Sequence, residues 1–221
     1  MKTTLHIALI LLLGLASGLV IRSFRSSQSS GPGPDDVVFS NDAPDVAESN
    51  NDVESLPSHP PKDEEWLSRF ELTERSGEQV SSEDLLGQPY VVSFFFSTCP
   101  SICVQQNQKL QELQDEFAGQ GVRFVAISVD PETDTPERLR EYAARFGADK
   151  DQWLFMTGDL TYIRRVGAEV FMQHADKKVH SERFVLVDAK GAIEGFYNWP
   201  EKLQFTKLRE KIRDMIESKD S

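Results

Sequence analysis

"YVVSFFFSTCPSICVQQNQKLQELQDEFAGQG", residues 90–121, reads as a strand, a turn and a helix in direct succession. Tyr90 to Phe96 is a run of mainly β-branched and aromatic residues, the pattern of a strand buried on both faces. From Ser101 the period changes. Ile102, Leu110, Leu113 and Phe117 recur at near-helical spacing, and Gly119 marks the stop. The only two cysteines of the chain, Cys99 and Cys103, lie at the junction of strand and helix.

Downstream, the same alternation continues. "RFVAISVD", from Arg123 to Asp130, is a second buried strand, and Thr135 with Pro136 is an N-cap followed by a first helical position, with Gly147 as the stop. "WLFMTGD" predicts a short strand, "LTYIRRVGAEVF" a helix and "HADKKVHSE" a polar loop. "RFVLVDAKGAIEGFYN" predicts two strands joined at a turn around Ala189 to Gly191, and "EKLQFTKLREKIRDMIE" a closing amphipathic helix. Upstream, "FELTERSGEQVSSEDLLGQP" begins extended and turns at Ser76 and Gly77. Strand and helix alternate, with a late hairpin. The expected fold is α/β, a thioredoxin-like three-layer sandwich with a mixed central sheet, spanning residues 64–221.

Two further parts precede it. Leu5 to Ile21 is 17 residues without charge, at the lower end of the roughly 17 to 25 that a membrane-spanning helix needs. Residues 1–25 are therefore expected to be an N-terminal membrane anchor, with a cleaved signal peptide ending near Ala16 to Gly18 as the rival. Lys2 on one side faces Arg22 and Arg25 on the other, so charge leaves the orientation open. No cysteine follows the run, which argues against a lipid anchor. Residues 26–63 are rich in Ser, Pro, Asn and acid, with Asp35, Asp36, Asp42, Asp45, Glu48, Asp52 and Glu54 preceding the first cation, Lys62. That composition is that of a disordered linker. The whole chain carries a net charge of -12, which argues against a nucleic-acid partner.

Two cysteines four positions apart at a helix start project from one face. The helix dipole and free N–H groups there favour thiolate, so both thiols are expected to ionise more readily than a free one. Paired thiolates suit a soft metal ion, but two cysteines fall short of the four ligands of a structural zinc site or a cluster. A local disulfide is the plainer alternative, and the two states are interconvertible. For a third ligand, His6 lies in the apolar run and His59 in the linker, leaving His174 and His180. His180 is preferred because it precedes a predicted buried strand. Met156 and Met172 carry thioethers but are expected to fill the core.

"CPSIC", then "VRFVAISVDPETDTPERLREYAARFG" and "VHSERFVLVDAKG", together resemble the Sco/SenC family of copper-binding, thioredoxin-like proteins, which are membrane-tethered assembly factors for cytochrome c oxidase. The resemblance runs from about Phe70 to Ile216. It implies that Cys99, Cys103 and His180 bind one copper ion, as Cu(I) or Cu(II), and that Asp134 lies near the metal. Asp134 also reads as a turn residue ahead of Pro136. It implies as partners the copper-receiving subunit of cytochrome c oxidase and a thioredoxin-like reductant, with the folded domain on the exported side of the membrane. The function implied is that of a copper chaperone. The alternative is a thiol–disulfide oxidoreductase in which Cys99 and Cys103 are the catalytic pair. One departure stands out: Val104 follows the second cysteine, where many relatives have proline.

Overall fold

A computed structural model of the chain describes residues 64–219. The expected anchor of residues 1–25 and the expected linker of residues 26–63 lie outside the described residues. Among the described residues no helix is long and apolar enough to cross a membrane.

The strands are β1 (Glu71–Glu74), β2 (Gln79–Ser81), β3 (Tyr90–Phe95), β4 (Arg123–Ser128), β5 (Trp153–Thr157), β6 (Ala175–Asp176), β7 (Val179–His180), β8 (Arg183–Val187) and β9 (Ile193–Asn198). The helices are α1 (Ile102–Glu116), α2 (Pro136–Ala144), α3 (Leu160–Arg165), continued by a π-helical turn over Val166–Val170, and α4 (Lys202–Lys219). Seven strands form one sheet in the order β2-β1-β5-β4-β3-β8-β9. Its centre is parallel, β3 beside β4 and β4 beside β5. The outer pairs are antiparallel, so the sheet is mixed as expected.

The uninterrupted apolar strands are explained by burial on both faces. All six residues of β3 are buried. On one face Val91, Phe95, Phe124, Phe155 and Leu186 pack against Leu110 and Leu113 of α1, Leu139 and Tyr142 of α2, and Leu208 and Ile212 of α4. On the other, Val92, Phe94, Ile127, Met156 and Val185 pack against Ile163 of α3 and Phe171. Each such large side chain, withdrawn from water, contributes about 1.5–3 kcal/mol, and the two clusters make the three layers.

Local signals set the boundaries. Thr135 accepts a hydrogen bond from Arg138 N–H at 3.4 Å with Pro136 at the first helical position, and Asp159 caps α3 through Tyr162 N–H at 2.9 Å. The chain leaves α2 through Gly147 at φ 59°. Two expectations are corrected. The segment read as a polar loop, His174 to Glu182, contains a short antiparallel ribbon in which Ala175 pairs with His180 and Asp176 with Val179. Two-residue strands leave no periodicity to read, and the turn depends on Lys178 at φ 57°, a position where glycine is the usual signal. Met172 is not core: it is 62 % exposed, at φ 52°, whereas Met156 is buried as expected.

Candidate metal centre

The topology brings three loops to one end of the sheet. Parallel β3 and β4 deliver Ser97 to Cys99 and Val129 to Asp134 from their carboxyl ends, and β8, antiparallel to β3, starts at that same end. The ribbon ending in His180 precedes β8, so His180 meets the cysteine turn although 77 positions separate it from Cys103.

Helix α1 begins at Ile102, and its Ser101 N-cap makes no side-chain cap hydrogen bond. The sulfur of Cys99 takes that place, accepting the N–H of Cys103 at 3.4 Å. An orphan amide at a helix start is thus satisfied by a thiol. Burial opposes ionisation of Cys99, but the N–H groups of Cys103, Ser101 and Ile102, with the Cys103 thiol, together bring its pKa below the ordinary value. Cys103 behaves in the opposite way. It is fully buried, and burial foremost, then its hydrogen bond with Cys99 and the nearby charge of Asp134, push its pKa far up despite a hydrogen bond from Phe96 N–H. The expectation that both thiols are acidified is therefore corrected: desolvation outweighs the helix start at the inner cysteine.

His180 Nε2 lies 2.9 Å from Cys103 Sγ, and Nδ1 lies 3.0 Å from the carbonyl oxygen of Ser181. A carbonyl only accepts, so Nδ1 carries the ring proton and Nε2 presents its lone pair to the Cys103 thiol. Burial, ahead of the opposing Ser181 carbonyl and Glu182, lowers the His180 pKa and keeps the ring neutral near pH 7. Phe96 packs edge-on to the ring at 6.0 Å. Ser181 Oγ donates to Gln173 Oε1 at 2.6 Å, anchoring the residue after the histidine.

Asp134 is 0 % exposed. Its Oδ2 accepts from Ser97 N–H at 3.0 Å and from Ser128 Oγ–H at 2.5 Å, so it fastens the turn that carries Cys99. Asn107 Nδ2 donates to the Cys103 carbonyl at 2.9 Å and to the Tyr142 hydroxyl at 3.0 Å, bracing the first turn of α1. Neither Asn107 nor Tyr142 is among the expected site residues, although Asn107 lies one helical turn after Cys103 and is readable by spacing. His174, the rival third ligand, lies beside the Asp176 carboxylate.

Cys103 and His180 are thus in contact, and Cys99 is beside Cys103. As they stand, no three His, Cys, Asp or Glu side chains among the described residues are arranged to hold a metal ion. The donor set nonetheless fits a soft cation: two sulfurs and a neutral imidazole whose second nitrogen is already fixed by a carbonyl.

Known proteins share this architecture. The SCO1/SenC family model matches residues 58–217. A SCO1 protein homolog from Bacillus subtilis (strain 168) is 28% identical over 153 residues, 65% of this chain and 79% of that protein. The structure of BsSco, a member of the Sco family of cytochrome c oxidase assembly proteins in which a disulfide switch has been identified, superposes with a TM-score of 0.62 at 26% identity, over 72% of this chain and 96% of that one. Arabidopsis thaliana ScoI with copper bound superposes with a TM-score of 0.55 at 26% identity, over 66% and 97%. The fold is therefore thioredoxin-like, as expected.

Proposed function

This chain belongs to the SCO1/SenC family, and from that membership we propose that it is a copper chaperone for the assembly of cytochrome c oxidase. Cys99, Cys103 and His180 hold one copper ion as cargo, with Asp134 behind them. The observation that carries the reading is the contact of Cys103 Sγ with His180 Nε2, which puts a sulfur and an imidazole lone pair within one ion's reach. Binding requires Cys103 to lose its proton to solvent and release Nε2, while the Nδ1–H bond to Ser181 keeps the ring oriented. Cys99, its pKa already lowered by the amides around it, loses its proton more readily than Cys103. Transfer to the copper-receiving oxidase subunit proceeds by ligand exchange, for which a site of few ligands at a loop edge leaves room.

Residues 1–25 anchor the chain in the membrane, residues 26–63 are its linker, and residues 64–221 form the copper-binding domain on the exported side. Copper binding by Arabidopsis thaliana ScoI supports the cargo, and the membership of BsSco in a family of cytochrome c oxidase assembly proteins supports the target. The test is complementation of cells lacking this chain, reading the copper content of their cytochrome c oxidase. The wild-type chain restores it; a chain with Cys99→Ser and Cys103→Ser does not, and restoration by that variant contradicts the proposal.

One observation favours a second reading. An acidified, nearly buried Cys99 before a protonated, fully buried Cys103 is the asymmetry of a thiol–disulfide exchange pair, with Cys99 attacking and Cys103 resolving. In that reading a thioredoxin-like reductant returns the pair to its dithiol form, and His180 is dispensable.

A further inference from the structure

The segment Val129 to Asp134, following β4, touches both halves of the site. At its far end Asp134 fastens the Cys99 turn through Ser97 N–H. At its near end the Val129 carbonyl accepts from Lys178 N–H at 3.3 Å, and Lys178 Nζ lies 3.5 Å from Asp130 Oδ2. Asp130 is 1 % exposed and that oxygen has no hydrogen-bond partner, so the ammonium of Lys178 is the charge set against a buried carboxylate oxygen. Beside it Lys177 Nζ pairs with Glu132 at 2.7 Å. Lys178 is two residues before His180.

The ribbon that carries His180 is held differently at its two ends. Its base is packed: Ala175 is buried against Gly167, where a Cβ would come within 2.9 Å, and Gln173 N–H donates to the Gly167 carbonyl at 2.8 Å. Its tip buries nothing apolar. Val179, Lys177 and Lys178 are all exposed. The tip is therefore placed by charged groups, with Asp176 held by Arg164 on one side and Lys178 set against Asp130 on the other, and by the backbone hydrogen bond to Val129.

We infer that Lys178 and Asp130 are positioning residues for His180, their ion pair joining the ribbon to the Val129–Asp134 strap so that imidazole and cysteines face each other at fixed separation. The inference rests on the reading of His180 as a copper ligand for its consequence in metal binding, but not for the geometry. Loss of Lys178 removes the paired cation from a buried carboxylate and leaves it only the weaker field of Lys177, which is itself paired with Glu132, so the strap and the ribbon part toward water.

The test uses the full-length chain in detergent. Without metal, diethyl pyrocarbonate modification of His180 is followed by mass spectrometry; trypsin, cutting after Lys178, or after Lys177 in Lys178→Ala, and after Arg183, separates the His180 peptide from the one bearing His174. Lys178→Ala and Asp130→Asn raise the His180 rate by on the order of tenfold, while Lys178→Arg keeps the wild-type rate. A wild-type rate in Lys178→Ala overturns the inference. With Cu(II), Lys178→Ala weakens binding, but adds no further loss to His180→Ala, because it acts through that ring. Additive losses also overturn it. A wild-type chain that takes up no copper contradicts the chaperone reading instead, and the metal-free rates still decide this inference.

Discussion

The Nε2 of His180 lies 2.9 Å from the sulfur of Cys103, across 77 positions of sequence. The contact exists because β8 runs antiparallel to β3, which returns the chain to the end of the sheet where β3 left it. Cys103 keeps its proton, and its sulfur faces the Nε2 lone pair. That proton keeps Cys103 neutral, and metal binding must displace it.

The two cysteines should separate by pH. As pH rises through the lowered pKa of Cys99, its thiolate forms while Cys103 keeps its proton. Substoichiometric iodoacetamide near pH 7.5, below the usual thiol pKa of about 8.5, is expected to alkylate Cys99 ahead of Cys103, as read by fragmentation mass spectrometry. Equal labelling contradicts the assignment. The sign for stability follows. Because Cys103 binds its proton more tightly folded than unfolded, its contribution is complete below about pH 8.5 and is lost as pH rises from there toward its folded pKa. Cys103→Ser should flatten that alkaline loss in urea titrations of the metal-free protein.

Gly167→Ala tests the seating of the ribbon. The added Cβ would meet Ala175 Cβ at 2.9 Å and the Gln173 carbonyl at 3.0 Å, and the second of these is backbone. Overpacking of this kind costs about 1–3 kcal/mol, seen as a lower urea midpoint. An unchanged midpoint would mean that the ribbon base is looser than its contacts imply.

Asp134 supports the site from below. Asp134→Ala leaves Ser97 N–H and Ser128 Oγ–H without their buried acceptor, a loss of about 2 kcal/mol or more. Asp134→Asn keeps an acceptor oxygen and is expected to lose less. Denaturation of both variants checks the order; equal stability of Asp134→Ala and wild type contradicts the role.

Much of this fold is legible in the sequence. Buried strands such as Val91 to Phe95 announce themselves because burial on both faces removes polar residues, and Thr135 with Pro136 marks a helix start by local chemistry alone. The cysteine turn follows from one change of period at Ser101. The unequal thiols are not legible, because spacing puts Cys99 and Cys103 on one face but says nothing of depth. Only tertiary packing, which leaves Cys99 6 % exposed and Cys103 0 %, makes Cys103 the inner one. The ribbon escapes a sequence reading for a similar reason. Its four strand residues are too few for a pattern, and its placement comes from Asp130 and Gly167, both outside the segment itself.

His180→Ala separates the two functional readings. It should lower Cu(II) affinity by about a hundredfold or more, while leaving the rate of disulfide exchange with a small dithiol unchanged. Slowed exchange with intact copper affinity would favour the oxidoreductase.

The central claim is that Cys99, Cys103 and His180 together bind one copper ion. X-ray absorption at the copper edge of the loaded full-length chain tests it most directly. The account predicts two sulfur scatterers and one imidazole per copper, with the imidazole signal absent in His180→Ala and the sulfur signal absent when both cysteines are serine. An imidazole signal that survives in His180→Ala, or copper bound without sulfur in the wild-type chain, would contradict it.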